Sequence, residues 1–360
     1  MIKIERDKAL IEKFKESHLE YFVETKPNRK SKSKSKTHNS SHPTYKEILL
    51  DIPTHLKICE RDFLRFIGKN YRSILIGSPK RLESIRLIIE RKFSLELRTS
   101  IADKDSAIHQ HIVRIFNYKS FIGRVAHKWG AYQLTTELGV NVCPYCNRQF
   151  ITTYHSDEGK TRPALDHFYD KATYPYFSIS LFNLIPCCSV CNSSFKGKDE
   201  FTVTDNIHPY IEGFDEALAF SAGFEKINVN DEKFDIDSFL GAGKNYAIKL
   251  VETDLVAADK LGILSEKVRK GLNNADAFKL EAIYETHQEY IRDLIKKAIY
   301  YNEARLKDII ETHKGLFNSK EEVLSWVLGL DSNIDDFEKR ILSKFIFDIA
   351  NELGITRYIK

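Results

Sequence analysis

The chain has 360 residues, of which 42% are hydrophobic and 29% charged, proportions that are ordinary for a globular protein able to bury a core. Residues 1–20 hold no apolar run of signal-peptide length, and no stretch approaches 18 uninterrupted apolar residues. This composition excludes a membrane span and predicts a cytoplasmic protein without membrane contact. The formal net charge of +4 is local, because residues 26–36 carry six basic residues and no acidic one, which leaves −2 for the rest of the chain.

The first 44 residues predict a helix followed by a flexible segment. Apolar residues recur at helical spacing within 1–25, which indicates an amphipathic helix that docks on the protein or on a partner. The basic tract at 26–36, KPNRKSKSKSK, cannot bury apolar surface. It is either a binding segment for a polyanion such as nucleic acid or a solvated linker, and its composition favours neither.

Residues 45–140 predict a helical platform. Apolar side chains follow helical spacing from Tyr45 onward, with breaks near Pro53 and at Gly77-Ser78-Pro79. We expect the aromatic residues of this region to form core rather than base-stacking surfaces. Cys59 falls on the same helical pattern and is expected to be buried.

Two Cys-x-x-Cys pairs mark the centre of the chain, Cys143 with Cys146 and Cys188 with Cys191. Four thiolates in two short loops are the ligand set of a tetrahedral structural zinc. A disulfide framework is the alternative, but a long chain without a secretion signal favours zinc. The 41 residues between the pairs exceed the usual zinc-ribbon spacing, so we expect the zinc frame to hold a functional loop.

That loop carries Asp166-His167, then Asn183-Leu184, then Cys188-x-x-Cys191-Asn192-x-x-x-Lys196. This set resembles the HNH nucleases of the ββα-metal type with a zinc-ribbon frame. A further likeness is to the HNH subunit of Septu-type anti-phage systems. The residues that carry it are Cys143-Pro144-Tyr145-Cys146, Asp166-His167-Phe168, Lys171, Tyr174-Pro175 and Asn183-Leu184-Ile185-Pro186.

The resemblance implies an α+β protein with a small ββα-metal HNH core and zinc knuckles at 141–212, between mainly helical regions at 45–140 and 213–360. It implies hydrolysis of phosphodiester bonds in DNA or RNA, with structural Zn²⁺ and catalytic Mg²⁺ or Mn²⁺. The Septu likeness further implies a partner ATPase of the ABC or SMC-like type. The chain itself has no G-x-x-x-x-G-K-[ST] motif for binding ATP.

The chemistry of four residues agrees with this hypothesis. His167 is suited to be the general base, because an imidazole can take a proton from water near neutral pH. Asp166 and Asn192 offer oxygen atoms to Mg²⁺ or Mn²⁺. Asn183 is expected to hydrogen-bond the backbone of the loop that carries His167.

Three other residues are weaker candidates. Lys196 lies one helical turn after Asn192, so it is expected to contact a substrate phosphate unless it is only a solvated lysine at a helix end. Lys171 is a second candidate for a phosphate contact. His208 is a candidate further metal ligand, although a loop histidine beside Pro209 is the simpler interpretation.

The local structure around Asp166 and His167 is predicted to be a hairpin of 150–154 with 163–168, closed at 157–159. Neighbouring residues on a strand point to opposite faces, so both side chains can reach one site only near a strand end. A helix is expected from Ser189 to Gly197. Strand, loop and helix then follow in the order of a ββα-metal site.

The C-terminal region is predicted to be mixed and then helical. Strands are expected at 225–229 and 246–252, and helices at 255–272, 277–313, 321–328 and 335–353. The helix at 277–313 has a regular apolar stripe, which indicates either intramolecular core or a docking or dimer surface.

Two other functions remain open. The chain is either a zinc-ribbon nucleic-acid-binding subunit whose HNH residues have lost activity, or a stand-alone HNH restriction-type endonuclease. Neither DNA nor RNA is favoured, because no base-reading module is recognisable and hydrolysis by an activated water needs no 2′-hydroxyl.

Overall fold

A computed structural model describes residues 1–26, 43–124, 127–197, 199–223, 237, 240–243, 246–259, 261–330 and 337–358. Residues 27–36 of the basic tract and the expected strand at 225–229 lie outside these ranges. The described part contains two-stranded antiparallel sheets among many helices, which confirms the α+β class. None of its helices combines the length and apolar character that crossing a bilayer requires.

The N-terminal part is helical, as expected. Serine side chains set several helix starts by accepting a backbone N–H: Ser78 caps the helix that begins at Pro79, and Ser106 caps the one at Ala107. The helices are α1 Lys8–Glu24, α2 Tyr45–Leu50, α3 Ile58–Ile76, α4 Pro79–Lys92, α5 Leu95–Ala102, α6 Ala107–Ile115, α7 Tyr118–Ile122 and α8 Ala131–Leu138. Cys59 lies on α3 but is exposed, because it lies on the solvent-facing side of this amphipathic helix. Its predicted burial is therefore wrong.

Helix α1 docks on the rest of the chain. Its buried face contains Phe14, His18 and Phe22. The imidazole of His18 accepts a hydrogen bond from the Trp129 indole N–H at 3.0 Å, and its Nε2 lies 2.5 Å from the Ile179 carbonyl. The amphipathic pattern at 1–25 is therefore explained by contacts within the chain.

The strand that carries Asp166 and His167 has a different partner from the one predicted. Strands β1 Tyr154–His155 and β2 Lys160–Thr161 form a short exposed ribbon of their own. Strand β3 Ala164–His167 instead pairs with β4 Leu184–Cys187, with Ala164 opposite Cys187 and His167 opposite Leu184. Both strands are largely buried, so burial of apolar surface selects this distant pairing over the local hairpin.

The segment between β3 and β4 contains two 3₁₀ helices, Pro175–Phe177 and Leu181–Asn183. After β4 the chain forms a π-helix, Val190–Phe195, which packs on β3. It is followed by Gly197 in the left-handed region, with φ of +52°. The predicted helix is thus present, but its turns are wider than those of an α-helix.

The C-terminal region combines one small sheet with helices. Strands β5 Leu218–Ser221 and β6 Lys249–Glu252 pair antiparallel. The helices are α9 Asp254–Ala258, α10 Ile263–Ala277, α11 Leu280–Tyr284, α12 Gln288–Tyr300, α13 Glu303–Thr312, α14 Lys320–Leu328 and α15 Ser343–Glu352, with 3₁₀ turns at Glu285–His287 and Ile355–Tyr358. Of the helix predicted at 335–353, the described part is helical only from Ser343.

The long helix predicted at 277–313 is wrong, because the chain divides there into separate helices. Lys279 has a positive φ of +51°, which an α-helix cannot continue through. The Asn302 side chain accepts the N–H of Arg305 and caps the start of a new helix, α13. The helix predicted at 255–272 divides likewise at Gly262, whose φ is +69°. Most of the apolar stripe at 277–313, including Tyr284, is buried inside the protein, which makes that part of the stripe intramolecular core.

These C-terminal helices support the first cysteine pair. The Tyr284 hydroxyl donates to the carbonyl of Cys146 at 2.7 Å. Asn147, in the left-handed region at φ +51°, accepts the N–H of Lys344 and donates to the carbonyl of Phe337 at 3.1 Å. Residues almost two hundred positions apart in sequence therefore hold the central segment in place.

Candidate metal centre and active site

The four cysteines of the two pairs converge on one point. Their sulfur atoms all lie within 4.8 Å of one another, and all four residues are buried. Four thiolates around zinc are about 3.8 Å apart at the usual Zn–S length of about 2.3 Å, and Cys146 Sγ lies 3.9 Å from Cys188 Sγ. The donor set and its spacing fit a tetrahedral zinc.

The electrostatics of the cluster also favour a cation. Burial raises the pKa of the Cys143 thiol, whereas a hydrogen bond from Cys143 lowers the pKa of Cys146. Four buried thiolates repel one another unless a metal ion neutralises them. The cluster is therefore expected to be fully deprotonated only with a metal bound.

A cavity of about 320 Å³ opens at the end of β3 where Asp166 and His167 lie. Both residues line it, which is the placement at a strand end that the sequence predicted. The other lining residues are Tyr118, Arg162, Ala164, Leu165, Asp170, Lys171, Asn192, Lys196 and Gly197. The cavity thus joins residues from α7, β3 and the π-helix region.

The ring of His167 is oriented by a backbone carbonyl. Its Nε2 lies 2.8 Å from the carbonyl oxygen of Ser178. A carbonyl can only accept, so Nε2 carries the proton and Nδ1 carries the lone pair. Burial lowers the pKa of His167 to about 3, assisted by the charge of Lys171, so the ring is neutral at pH 7 and is a weak base in this state. A negatively charged phosphate in the cavity would raise this pKa toward the range in which Nδ1 accepts a proton.

Tyr118 is a residue of this site that the sequence did not reveal. Its ring meets the His167 ring edge-on, with 4.5 Å between the centroids. Its hydroxyl lies 3.4 Å from the carbonyl of Leu165, and the ammonium of Lys171 lies 4.9 Å from its ring centre. No motif marks Tyr118, because it lies 49 positions before His167 in a helix predicted as platform.

Asp166 is held by two donors. The Tyr145 hydroxyl donates to Oδ2 at 2.7 Å, and the Lys196 ammonium donates to Oδ1 at 3.1 Å. Lys196 also donates to the carbonyl of His167 at 2.6 Å. Asp166 and Lys196 are only 4% and 2% exposed.

This ion pair corrects the role predicted for Lys196. The lysine does not extend into solvent to meet a phosphate. The wide π-helix turns its side chain inward, where the ammonium pairs with Asp166 and lies 4.9 Å from the Phe201 ring centre. Lys196 therefore stabilises the end of β3.

The expected Mg²⁺ or Mn²⁺ has weaker support than zinc. Among the described residues, the four cysteines are the one group of three or more His, Cys, Asp or Glu side chains placed to hold a metal. The charge of Asp166 is already neutralised by Lys196, and Asn192 contributes only a neutral amide. These residues do not form a ready divalent-cation site, so no catalytic step is assigned to a metal.

Asn183 makes the backbone contacts that its position predicted. Its Oδ1 accepts the N–H of Tyr169 at 2.7 Å, and its Nδ2 donates to the carbonyls of Tyr169 at 3.1 Å and Phe177 at 2.9 Å. The side chain is fully buried. Asn183 thus ties together the two ends of the loop that follows His167.

The remaining candidates divide between the cavity and the core. Asn192 and Lys171 line the cavity. His208 does not: it is fully buried, its ring centroid lies 4.2 Å from that of Phe168, and its Nδ1 accepts the N–H of Tyr210. His208 is therefore a core histidine that does not line the cavity, and its candidate role as a metal ligand stays a prediction.

Comparison with known proteins gives little help in naming a family. No family model matches the chain, and no solved structure matches it. One curated protein, Protein ea31 of Escherichia phage lambda, is 40% identical over 74 residues. That match spans 19% of this chain and 21% of the phage protein, too little to show that the two share a family.

Proposed function

We propose that the protein is an HNH-type endonuclease that hydrolyses phosphodiester bonds of DNA or RNA. The observation that carries the proposal is His167, a neutral imidazole with Nε2 held by Ser178 and Nδ1 left to accept a proton, at the rim of a polar cavity. A general base needs this combination of fixed orientation and free lone pair.

The order of elements supports the same proposal. Strand β3 pairs with β4, and the π-helix follows β4 and packs on β3. This is the strand–strand–helix order from which the ββα-metal class takes its name. The cysteine cluster lies beside it and contributes Cys188 and Cys191 at the start of that helix. In this proposal zinc holds the unit together and takes no part in the chemistry.

The proposed step is the attack of a water molecule on a phosphodiester phosphorus. The water oxygen forms the new P–O bond while its proton passes to Nδ1 of His167. The bond from phosphorus to the leaving sugar oxygen breaks, and that oxygen takes a proton from solvent. The resemblance to HNH nucleases keeps Mg²⁺ or Mn²⁺ as an expected cofactor, without an assigned ligand.

The direct test compares cleavage by the wild type with cleavage by His167→Ala. The protein is incubated with plasmid DNA and with total RNA in Mg²⁺, in Mn²⁺ and in EDTA. We expect the wild type to cut at least one substrate and His167→Ala to be slower by about 10²–10⁴-fold, the usual contribution of a general base. His313→Ala, an exposed histidine at the end of α13, is the matched control and should cut normally.

The same proposal places the nuclease in an anti-phage defence system with an ABC or SMC-like ATPase partner. Cleavage is therefore measured with and without an ATPase of this type, which the Septu likeness implies is encoded beside the nuclease. Cleavage that does not respond to any such partner would favour a stand-alone restriction-type enzyme.

A nucleic-acid-binding subunit is the second candidate. The Asp166–Lys196 ion pair favours it, because it occupies the carboxylate that a catalytic cation would use. Binding without cleavage, under every metal and with the ATPase present, would establish this alternative.

A further inference from the structure

Two buried histidines bind consecutive carbonyl groups of one short segment. His167 Nε2 lies 2.8 Å from the carbonyl oxygen of Ser178. His18 Nε2 lies 2.5 Å from the carbonyl oxygen of the next residue, Ile179. His18 belongs to α1, so the segment 178–179 connects the first helix of the chain with the proposed general base.

The direction of the hydrogen bond from His18 is fixed by Trp129. The indole N–H of Trp129 donates to His18 Nδ1 at 3.0 Å, so Nδ1 carries the lone pair and Nε2 carries the proton. Nε2 therefore donates to the Ile179 carbonyl. His18 is fully buried, and its ring meets the Phe121 ring edge-on with 5.5 Å between the centroids, which leaves the imidazole little room to turn away.

Each residue from 177 to 179 is tied to a different part of the chain. The Asn183 side chain donates to the carbonyl of the first residue at 2.9 Å. The hydroxyl of Ser178 donates to the carbonyl of Phe116 at 2.7 Å. His18 binds the third residue, so this segment is held from three directions and the carbonyl that receives His167 lies in the middle.

The bond to Ile179 restrains the carbonyl of Ser178 through the backbone. That carbonyl belongs to the planar peptide unit between Ser178 and Ile179. A rotation of this unit would turn the carbonyl away from His167 and release Nε2. Because His18 holds the following peptide unit, it limits rotation on the side of Ile179 that the other two hydrogen bonds do not reach.

We infer that His18 is a positioning residue for His167. It keeps the Ser178 carbonyl aimed at Nε2, so that Nδ1 faces the cavity, and it makes α1 a part of the site. The inference rests on the proposed function for the task of His167 itself. It also gives a reason for placing an imidazole, rather than an apolar side chain, in the interface between α1 and the rest of the chain.

The test observes the His167 ring directly by NMR. The full chain is labelled with ¹⁵N-histidine, and the signal of His167 is assigned as the one absent from His167→Gln. A buried ring N–H that is hydrogen-bonded exchanges slowly with water. His18→Phe keeps a flat ring but removes the donor to Ile179, so we expect the Nε2–H of His167 to exchange at least about 10-fold faster than in the parent.

Two matched variants make the result specific. His18→Gln retains a side-chain N–H donor for the Ile179 carbonyl and should keep the exchange close to that of the parent. His109→Phe removes another buried histidine of the N-terminal helices, whose Nδ1 lies 2.7 Å from the carbonyl of Ile101, and should leave the His167 signal unchanged. Slow exchange of the His167 Nε2–H in folded His18→Phe would overturn the inference.

A second route covers the case in which His18→Phe does not fold. Trp129→Phe leaves His18 in place but removes the donor to Nδ1, so the proton of His18 is no longer confined to Nε2. The same faster exchange at His167 is expected, by a smaller factor. Exchange as slow as in the parent would then overturn the inference.

Failure of this inference is distinguishable from failure of the proposed function. If the parent cuts nucleic acid, His18→Phe should lower kcat by about 10–100-fold, as loss of residues that orient metal-bound histidines does, and leave KM within about twofold. Faster exchange in His18→Phe with no cleavage by the parent would support the positioning and refute the nuclease. Cleavage by the parent with unchanged exchange in His18→Phe would support the nuclease and refute the positioning.

Discussion

The cysteine cluster adjoins one end of a pair of strands, whereas the cavity extends along β3 from Ala164 to His167. At one end Ala164 stands opposite Cys187, which directly precedes the cluster residue Cys188; at the other, His167 stands opposite Leu184 at the cavity. The cluster is closed, with four buried sulfur atoms facing one point. The cavity is open, with about 320 Å³ of space between charged and polar side chains.

The difference shows how one short sheet can carry two kinds of site. The cluster is suited to hold a metal permanently, because its four donors fill a tetrahedral shell and leave no position for water. The cavity has room for a ligand, and its residues are held by hydrogen bonds and one ion pair. The predictions on Cys188, Lys196 and Tyr145 each perturb one of these two sites and leave the other as a reference. The prediction on acid stability concerns the buried histidines.

The largest effect is expected from loss of the zinc ligands. Cys188→Ser should lose the metal and unfold the segment 143–197, since structural zinc contributes apparent binding free energies of about 10–16 kcal/mol in zinc-finger peptides. Zinc content by atomic absorption and thermal unfolding measure this. Cys59→Ser, the exposed cysteine of α3, should keep both values, and full zinc content in Cys188→Ser would contradict the assignment.

The ion pair at the cavity end should give the next largest effect. Lys196→Met leaves the buried carboxylate of Asp166 without its cation, which costs about 3–5 kcal/mol of unfolding free energy when a buried pair is broken. Urea denaturation measures the loss. Lys171→Met, at the exposed lysine, should change stability by less than about 0.5 kcal/mol; a stable Lys196→Met with weakened substrate binding would restore the phosphate-contact role.

Buried neutral histidines should make the protein sensitive to acid. Burial lowers the pKa of His18 to about 4 and of His167 and His208 to about 3, so below pH 6.5 the unfolded chain takes up protons that the folded chain does not. Stability is therefore complete above about pH 6.5 and falls toward lower pH, by about 2 kcal/mol per histidine at pH 5.

Urea denaturation at pH 7 and at pH 5 measures this loss of unfolding free energy. His18→Gln removes one of these three fully buried histidines and should lose less stability between pH 7 and pH 5 than the wild type. An unchanged difference would show that His18 is not held neutral by the fold.

The smallest effect is expected from Tyr145→Phe. It removes the hydroxyl that donates to Asp166 Oδ2 while Lys196 still neutralises the charge, so we expect a loss of about 1–2 kcal/mol. Tyr290→Phe, at an exposed tyrosine, is the control for the substitution. A loss as large as that of Lys196→Met would mean that Tyr145, not the ion pair, holds this end of the sheet.

Much of the centre of the molecule could be predicted because its signals are local. The cysteine pairs, the strand at Asp166-His167 and the backbone contacts of Asn183 follow from residue types and short spacings. The strand partner and the long helix at 277–313 were predicted wrongly, because pairing and helix breaks depend on buried contacts and on a capping residue such as Asn302.

The sequence by itself determined the cysteine cluster and the base candidate, because Cys-x-x-Cys spacing and a histidine at a strand end are local features of residue type and position. Tertiary structure decided which charges reach the cavity. It turned Lys196 inward onto Asp166, brought Tyr118 from the helical platform to the cavity, and placed His208 in the core. Those outcomes depend on which surfaces pack together. A short motif is defined by neighbouring residues, whereas the burial of apolar surface depends on contacts between distant parts of the chain.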